Sequence, residues 1–248
     1  MKILFAGETW VKHIIHQKGF DTFTNSEYGE DVGWFRDAMK AGNIEMDHVP
    51  SHAVGDMFPT TLEELQEYDA VILSDVGSNS MLLSVNTFTH GIVQPNRLDL
   101  IKEYVEAGGS FAMIGGYMSF QGIDCKGQYK DTAIEEILPV NLYATDDRSE
   151  HPEGITFDIL EPDHPILTDI PTEWPHFLGY NKLKAKPEAT VIAEHNDHAF
   201  ISTMEYGEGR TFAFASDCAP HWGPEEFIEW EHYNAFWINV VKWLANKQ

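Results

Sequence analysis

Three acidic residues, Glu8, Asp75 and Asp217, each stand just beyond an apolar run, and His221 follows the last of them by four positions. The runs are 2–6 (KILFA), 70–73 (AVIL) and 210–216 (RTFAFAS). Carboxylate oxygens from several loops together with one imidazole suit a divalent cation such as Zn²⁺, Mn²⁺ or Mg²⁺. Glu8, Asp75, Asp217 and His221 are therefore the candidate metal ligands, and a divalent ion is the one cofactor the sequence admits. Without a metal, Asp217 and His221 form a candidate acid–base pair for a hydrolase or isomerase. The competing reading is that each acid caps a following helix or bonds loop amides.

A second feature with chemical character is IGGYMSFQG, residues 114–122. Small residues, Gly115 and Ser119, stand two positions either side of Tyr117. That is the steric pattern of the strained strand-to-helix turn that presents a nucleophile. A tyrosine hydroxyl, with a pKa near ~10, stays protonated at neutral pH. Tyr117 is thus expected to act as an acid, a hydrogen-bond donor or a wall; alternatively, Gly115 and Gly116 only permit a sharp turn. Cys218, beside Asp217, is a nominal nucleophile, although a buried inert cysteine is the commoner case.

In open parallel sheets, sites form at the C-terminal strand ends. Applied to the loops after the apolar runs, the rule gives a candidate ligand-binding set of Glu8, Trp10, Asp75, Asn79, Gly116, Tyr117, Gln121 and Trp222. Tyr117, Asp217 and His221 are the catalytic candidates. Trp10 and Trp222 adjoin these loops and are candidate walls for a sugar or nucleoside. His13 and His16 have the i, i+3 spacing of one helical turn and are expected on its polar face.

The elements that must position these residues alternate. Residues 2–6, 44–49, 70–73 and 110–114 are expected strands; 31–41, 60–68 and 94–109 are expected helices. Pro95 near the start and Gly108–Gly109 at the end bracket the last of these helices. Alternating strands and helices imply a parallel sheet covered on both faces. The proline- and acid-rich middle is expected to be extended segments and long loops. Residues 190–195, 199–206 and 210–216 then form strands, with a tight turn at 206–209. A long helix from Pro224 would bury Trp230, Tyr233, Trp237, Val240, Val241 and Leu244.

The chain has 248 residues, enough for one sizeable α/β domain over 1–248. Forty acidic against sixteen basic residues give a net charge of −24. A phosphate backbone or an anionic membrane would be repelled, so neither nucleic acid nor membrane is expected as a partner. No apolar run reaches a membrane span, and the first residues read as a strand rather than a leader, so a cytoplasmic location is expected. Cys125 and Cys218 are expected to be free thiols. The aromatic surplus of the last helix suggests homo-oligomeric assembly as an alternative role.

The segment Gly115–Gln121 resembles the cysteine elbow of class I glutamine amidotransferases, with Tyr117 at the cysteine position and Ser119 at that of the second glycine. Together with LSDVGSN, PNRLDLIKEYVEAGGSFAMIGGYMSFQG, LPV and SDCAPHWG, it is similar to a family of glutamine amidotransferase-like cytoplasmic proteins related in fold to trehalose-utilisation-type proteins. The resemblance spans nearly the whole chain. It implies a flavodoxin-like three-layer α/β sandwich with a mainly parallel sheet. The glutaminase reaction needs a histidine-activated thiolate, and the family's His-x-Glu pair is replaced by His221-Trp222-Gly223-Pro224-Glu225. The expected function is therefore the binding of a small polar metabolite, of carbohydrate type among the options, without cysteine chemistry.

Overall fold

A computed structural model describes residues 1–245. Its strands, in chain order, are β1 (Lys2–Gly7), β2 (Thr9–Lys18), β3 (Asp21–Glu30), β4 (Glu45–Val49), β5 (Ala70–Ser74), β6 (Ser110–Ile114), β7 (Val140–Asn141), β8 (Arg148–Ile155), β9 (Asp158–Ile159), β10 (Phe177–Asn181), β11 (Lys184–Ala185), β12 (Thr190–His195), β13 (His198–Tyr206) and β14 (Gly209–Phe214). The α-helices are α1 (Gly33–Ala41), α2 (Val54–Met57), α3 (Leu62–Leu65), α4 (Ser78–Leu82), α5 (Val85–His90), α6 (Arg97–Glu106), α7 (Ala133–Ile137), α8 (Glu225–Ile228) and α9 (Tyr233–Ala245).

The central sheet runs β4-β1-β5-β6-β14-β13-β12-β9. The first five of these are parallel, and β13, β12 and β9 add an antiparallel edge. The parallel strands β5 and β6 are buried along their whole length, as continuous apolar runs in a doubly covered sheet must be. Helices α1 and α9 pack together on one face, and α6 with α3 and α7 on the other. This is the expected flavodoxin-like three-layer arrangement.

Local chemistry sets the element ends. Asn96 caps α6 by accepting from Leu98 N–H, and Thr61 with Glu64 forms a capping box on α3. The strand at β14 turns back from β13 through Gly207, in the left-handed region. The core is strongly aromatic where β14 meets α9. The Phe214 ring centroid lies 5.4 Å from that of Trp237 and 5.9 Å from that of Phe236.

Several expectations are corrected. Residues 9–30, where the spacing of His13 and His16 predicts a helical turn, form a β2–β3 hairpin paired in register from Thr9↔Glu30 to Lys18↔Asp21. His13 and His16 therefore lie on a strand. An odd offset in a strand puts them on opposite faces, bonded to Ser26 and Asn25 respectively. The C-terminal helix is two helices, α8 and α9, with Trp230 in the link between them, its ring tilted 49° against that of Trp174 at 4.8 Å between centroids. Trp243 lies beneath Arg210. The surplus aromatics are thus taken up by packing within the chain. No helix of the described residues is long and apolar enough to cross a membrane.

Candidate functional site

Adjacent parallel strands bring their C-terminal ends to one edge, and on this sheet the neighbours β1, β5, β6 and β14 bring four loops together. The cavity there has a volume of about 290 Å³ and is lined by Glu8, Trp10, Lys12, Asp75, Tyr117, Asp217, Pro220 and His221. Six of the residues singled out from the sequence therefore share one site.

The backbone at these strand ends is strained. Gly7 has φ +119°, and a Cβ there would lie 1.6 Å from the Ser74 carbonyl oxygen, so β1 can turn against β5 only with glycine. Glu8 (φ 52°) and Asp75 (φ 46°) follow in the left-handed region, and His221 has φ 111°. Such outliers cost ~1–3 kcal/mol each and concentrate at functional sites.

Tyr117 has no positive φ; the turn's positive values fall on Gly116 (147°), Phe120 (51°) and Gly122 (71°), and no α-helix follows directly. The turn is therefore not a strand-to-helix nucleophile elbow. It is pinned from two sides. Asp75 Oδ1 accepts from Met118 N–H at 2.7 Å, and Asp75 N–H donates to Ser119 Oγ. A Cβ on Gly116 would come 2.8 Å from Asp75 Oδ1, so glycine lets the carboxylate approach. Beneath, fully buried Asp147 accepts from Gln121 N–H, Gly122 N–H and Asn181 Nδ2, while Asn181 Oδ1 accepts from Gly116 N–H.

Tyr117 is a wall. Its hydroxyl donates to Glu150 Oε1 at 2.9 Å, the Arg148 guanidinium lies 4.8 Å from its ring centroid, and the His221 ring meets it edge-on at 4.4 Å. Burial, reinforced by Glu150, pushes the phenol above its ordinary value. Trp222 is fully buried behind this wall, with its indole N–H on Glu150 Oε2, and does not line the cavity. Tyr117→Phe is expected to fold normally and to lower the melting temperature by only ~2–4 °C, the effect of one hydrogen bond of ~1 kcal/mol. Differential scanning fluorimetry checks this.

The floor is acidic. Glu8 is 2% exposed and Asp217 5%. Burial, then Asp75, pushes Glu8 up to about 8, against a hydrogen bond from Ser74 Oγ. Burial, then Glu8 and Asp75, pushes Asp217 well above the usual carboxylate range. Asp75 is raised by burial and held back by Met118 N–H and His221. One ligand atom each from Glu8, Asp217 and Cys218 lies within 4.8 Å of the others, whereas Asp75 and His221 stand outside that group. The sequence-derived metal set is thereby split. The Cys218 thiol is 1% exposed, and burial, then Glu8 and Asp217, pushes it well above its ordinary value. A thiol so placed is protonated and inert.

Asn79 and Gln121 belong elsewhere: both line a separate cavity of about 360 Å³ with Gln128 and Lys130. The supporting residues Asp147, Arg148, Glu150 and Asn181 were not singled out from the sequence. The acid-rich segment carrying the first three gave no periodic signal.

Over residues 2–246 the chain matches the model of a family described as "Putative glutamine amidotransferase". It is similar to the cytoplasmic protein STM3548 from Salmonella typhimurium, with 42% identity, a TM-score of 0.95 and coverage of 98% of this chain and 99% of that one. The cytoplasmic protein STM1381 from Salmonella typhimurium LT2 is 46% identical, with a TM-score of 0.94 and the same coverage. A ThuA-like protein from Bacteroides uniformis shares the fold at 12% identity, with a TM-score of 0.58 over 98% of this chain and 90% of that one. No curated protein shows significant similarity to the chain.

Proposed function

The chain belongs to the glutamine amidotransferase-like family that its residues match almost end to end, and from that premise we propose that it binds a small polar metabolite at the strand-end cavity without cysteine-dependent glutaminase chemistry. One observation carries this reading. The apex of the family's cysteine turn holds Tyr117, its hydroxyl engaged by Glu150, and the one cysteine near the cavity, Cys218, is buried as a thiol between two carboxyl groups. Neither supplies the thiolate that cysteine-dependent glutamine hydrolysis requires. The names of the Salmonella relatives favour a cytoplasmic setting for this activity. Aromatic walls suit a carbohydrate among other metabolites.

Glu8 favours a second reading. A carboxyl group pushed up to about 8 is matched to proton transfer near neutral pH, as in a hydrolase or isomerase that uses carboxyl groups in place of a thiolate. Incubation with glutamine and detection of ammonia decides against or for the amidotransferase chemistry. The expected result is no release above background in wild type or Cys218→Ser. Ammonia release that Cys218→Ser abolishes would overturn the proposal.

A further inference from the structure

We propose that the cavity receives its ligand through an ammonium group, directed toward Glu8, Asp75 and Asp217, with the rest of the molecule against Trp10, Tyr117 and His221. The inference rests on the pocket reading above and names the class of molecule that fits it. Among the described residues two of the floor carboxyls, Glu8 and Asp217, have one donor each. Glu8 receives only Ser74 Oγ and Asp217 only Ala219 N–H, so in each of these nine-tenths-buried side chains one oxygen has no protein partner, and both residues line the cavity. No lysine or arginine forms an ion pair with Glu8, Asp75 or Asp217 among the described residues. Buried carboxylates are ordinarily paired with a cation or bound to a metal. Unpaired, Glu8 and Asp217 hold on to their protons, and a cation entering the open cavity would take the protons' place.

The walls point to an organic cation. Ammonium groups are attracted to the faces of tryptophan and tyrosine, and the chain's own Lys12 Nζ already lies 5.2 Å from the Trp10 ring centroid. Lys12 is exposed at the cavity mouth, whereas Glu8 and Asp217 are buried at its floor. A volume of about 290 Å³ is at the small end of ligand cavities, ~300 Å³, and suits a metabolite rather than a polymer.

An ammonium favours ionised carboxylates, so binding displaces protons from the floor and tightens as pH rises toward 8. The titratable and charged groups that face one another here are Glu8, Asp75 and Asp217, with Asp31, Cys218 and Tyr233 around them, Lys12 at the mouth and His221 on the wall.

The test is calorimetric titration with a matched series, n-butylammonium, n-butanol and butyrate, together with glucose and Zn²⁺, at pH 6.5 and 8.5. Butylammonium alone of the organic probes is expected to bind, more tightly at pH 8.5. Asp217→Asn and Asp75→Asn, each checked for folding by circular dichroism, are each expected to weaken it at least ~10-fold, the effect of one lost ion pair in a desolvated site. Two variants are used so that one that fails to fold leaves the other as a test. Binding of glucose or butyrate, unchanged in the folded variant, would overturn the ammonium inference and leave the pocket reading standing, and so would binding of Zn²⁺ alone. Failure of every probe would overturn both.

Discussion

Glu8→Gln is expected to raise the melting temperature at pH 8.5 by ~10–20 °C while leaving it almost unchanged at pH 5. The carboxyl of Glu8 moves from an ordinary 4.5 to about 8 on folding, mainly because it is buried and faces Asp75. Between those two values the folded protein keeps a proton that the unfolded chain has released. Stability therefore falls with each pH unit across that window, by ~1.4 kcal/mol per unit for a full proton, and levels off above it. The total is on the order of 5 kcal/mol. Asp217 and Asp75 shift in the same direction and add to the slope. Glutamine keeps the acceptor for Ser74 Oγ and removes both the titration and the repulsion on Asp217. Thermal melts of the two proteins from pH 5 to 9 check this; parallel curves would show that Glu8 is not the group that titrates.

Asp147→Ala is expected to lower the melting temperature by ~6–12 °C and to abolish ligand-induced stabilisation. The side chain is fully buried and accepts from two backbone N–H groups, of Gln121 and Gly122, and from Asn181 Nδ2. Alanine leaves three buried donors without a partner, at ~1 kcal/mol or more apiece, and ~2–4 °C of melting temperature per kcal/mol for a chain of this length. The same network holds Gly116 through Asn181, so the loss reaches the Tyr117 wall. A shift under ~2 °C would show that the turn does not depend on Asp147.

Much of the framework was legible because burial on both faces leaves continuous apolar runs, as at 70–73 and 110–114. The strand-end rule picked Glu8, Trp10, Asp75, Tyr117, Asp217 and His221, which line one cavity because β1, β5, β6 and β14 are neighbours in the sheet. It overreached at Asn79 and Gln121, where the chain has already left the sheet edge: Asn79 lies in α4 and Gln121 beyond the turn. The β2–β3 hairpin was not legible. Both its faces meet solvent, so no apolar alternation marks its strands, and the pairing that defines it is a relation between residues up to twenty-one positions apart. Asp147 and Asn181 were silent for a related reason. Their importance comes from which turn they sit beneath, and that is a property of the assembled fold.

The hairpin divides the cavity into parts of unequal firmness. The carboxyl floor is tied to the ends of buried parallel strands, whereas Trp10 and Lys12 belong to a two-stranded ribbon whose tip, Phe20, is fully exposed. A ribbon of two strands is marginally stable in water on its own. Its amides therefore exchange with solvent through local openings that leave the central sheet intact. Sequence drift or fluctuation in the ribbon can reshape one wall while the acidic floor holds its place, so how the site selects a ligand and how strongly it attracts one are governed by separately stable pieces of the chain.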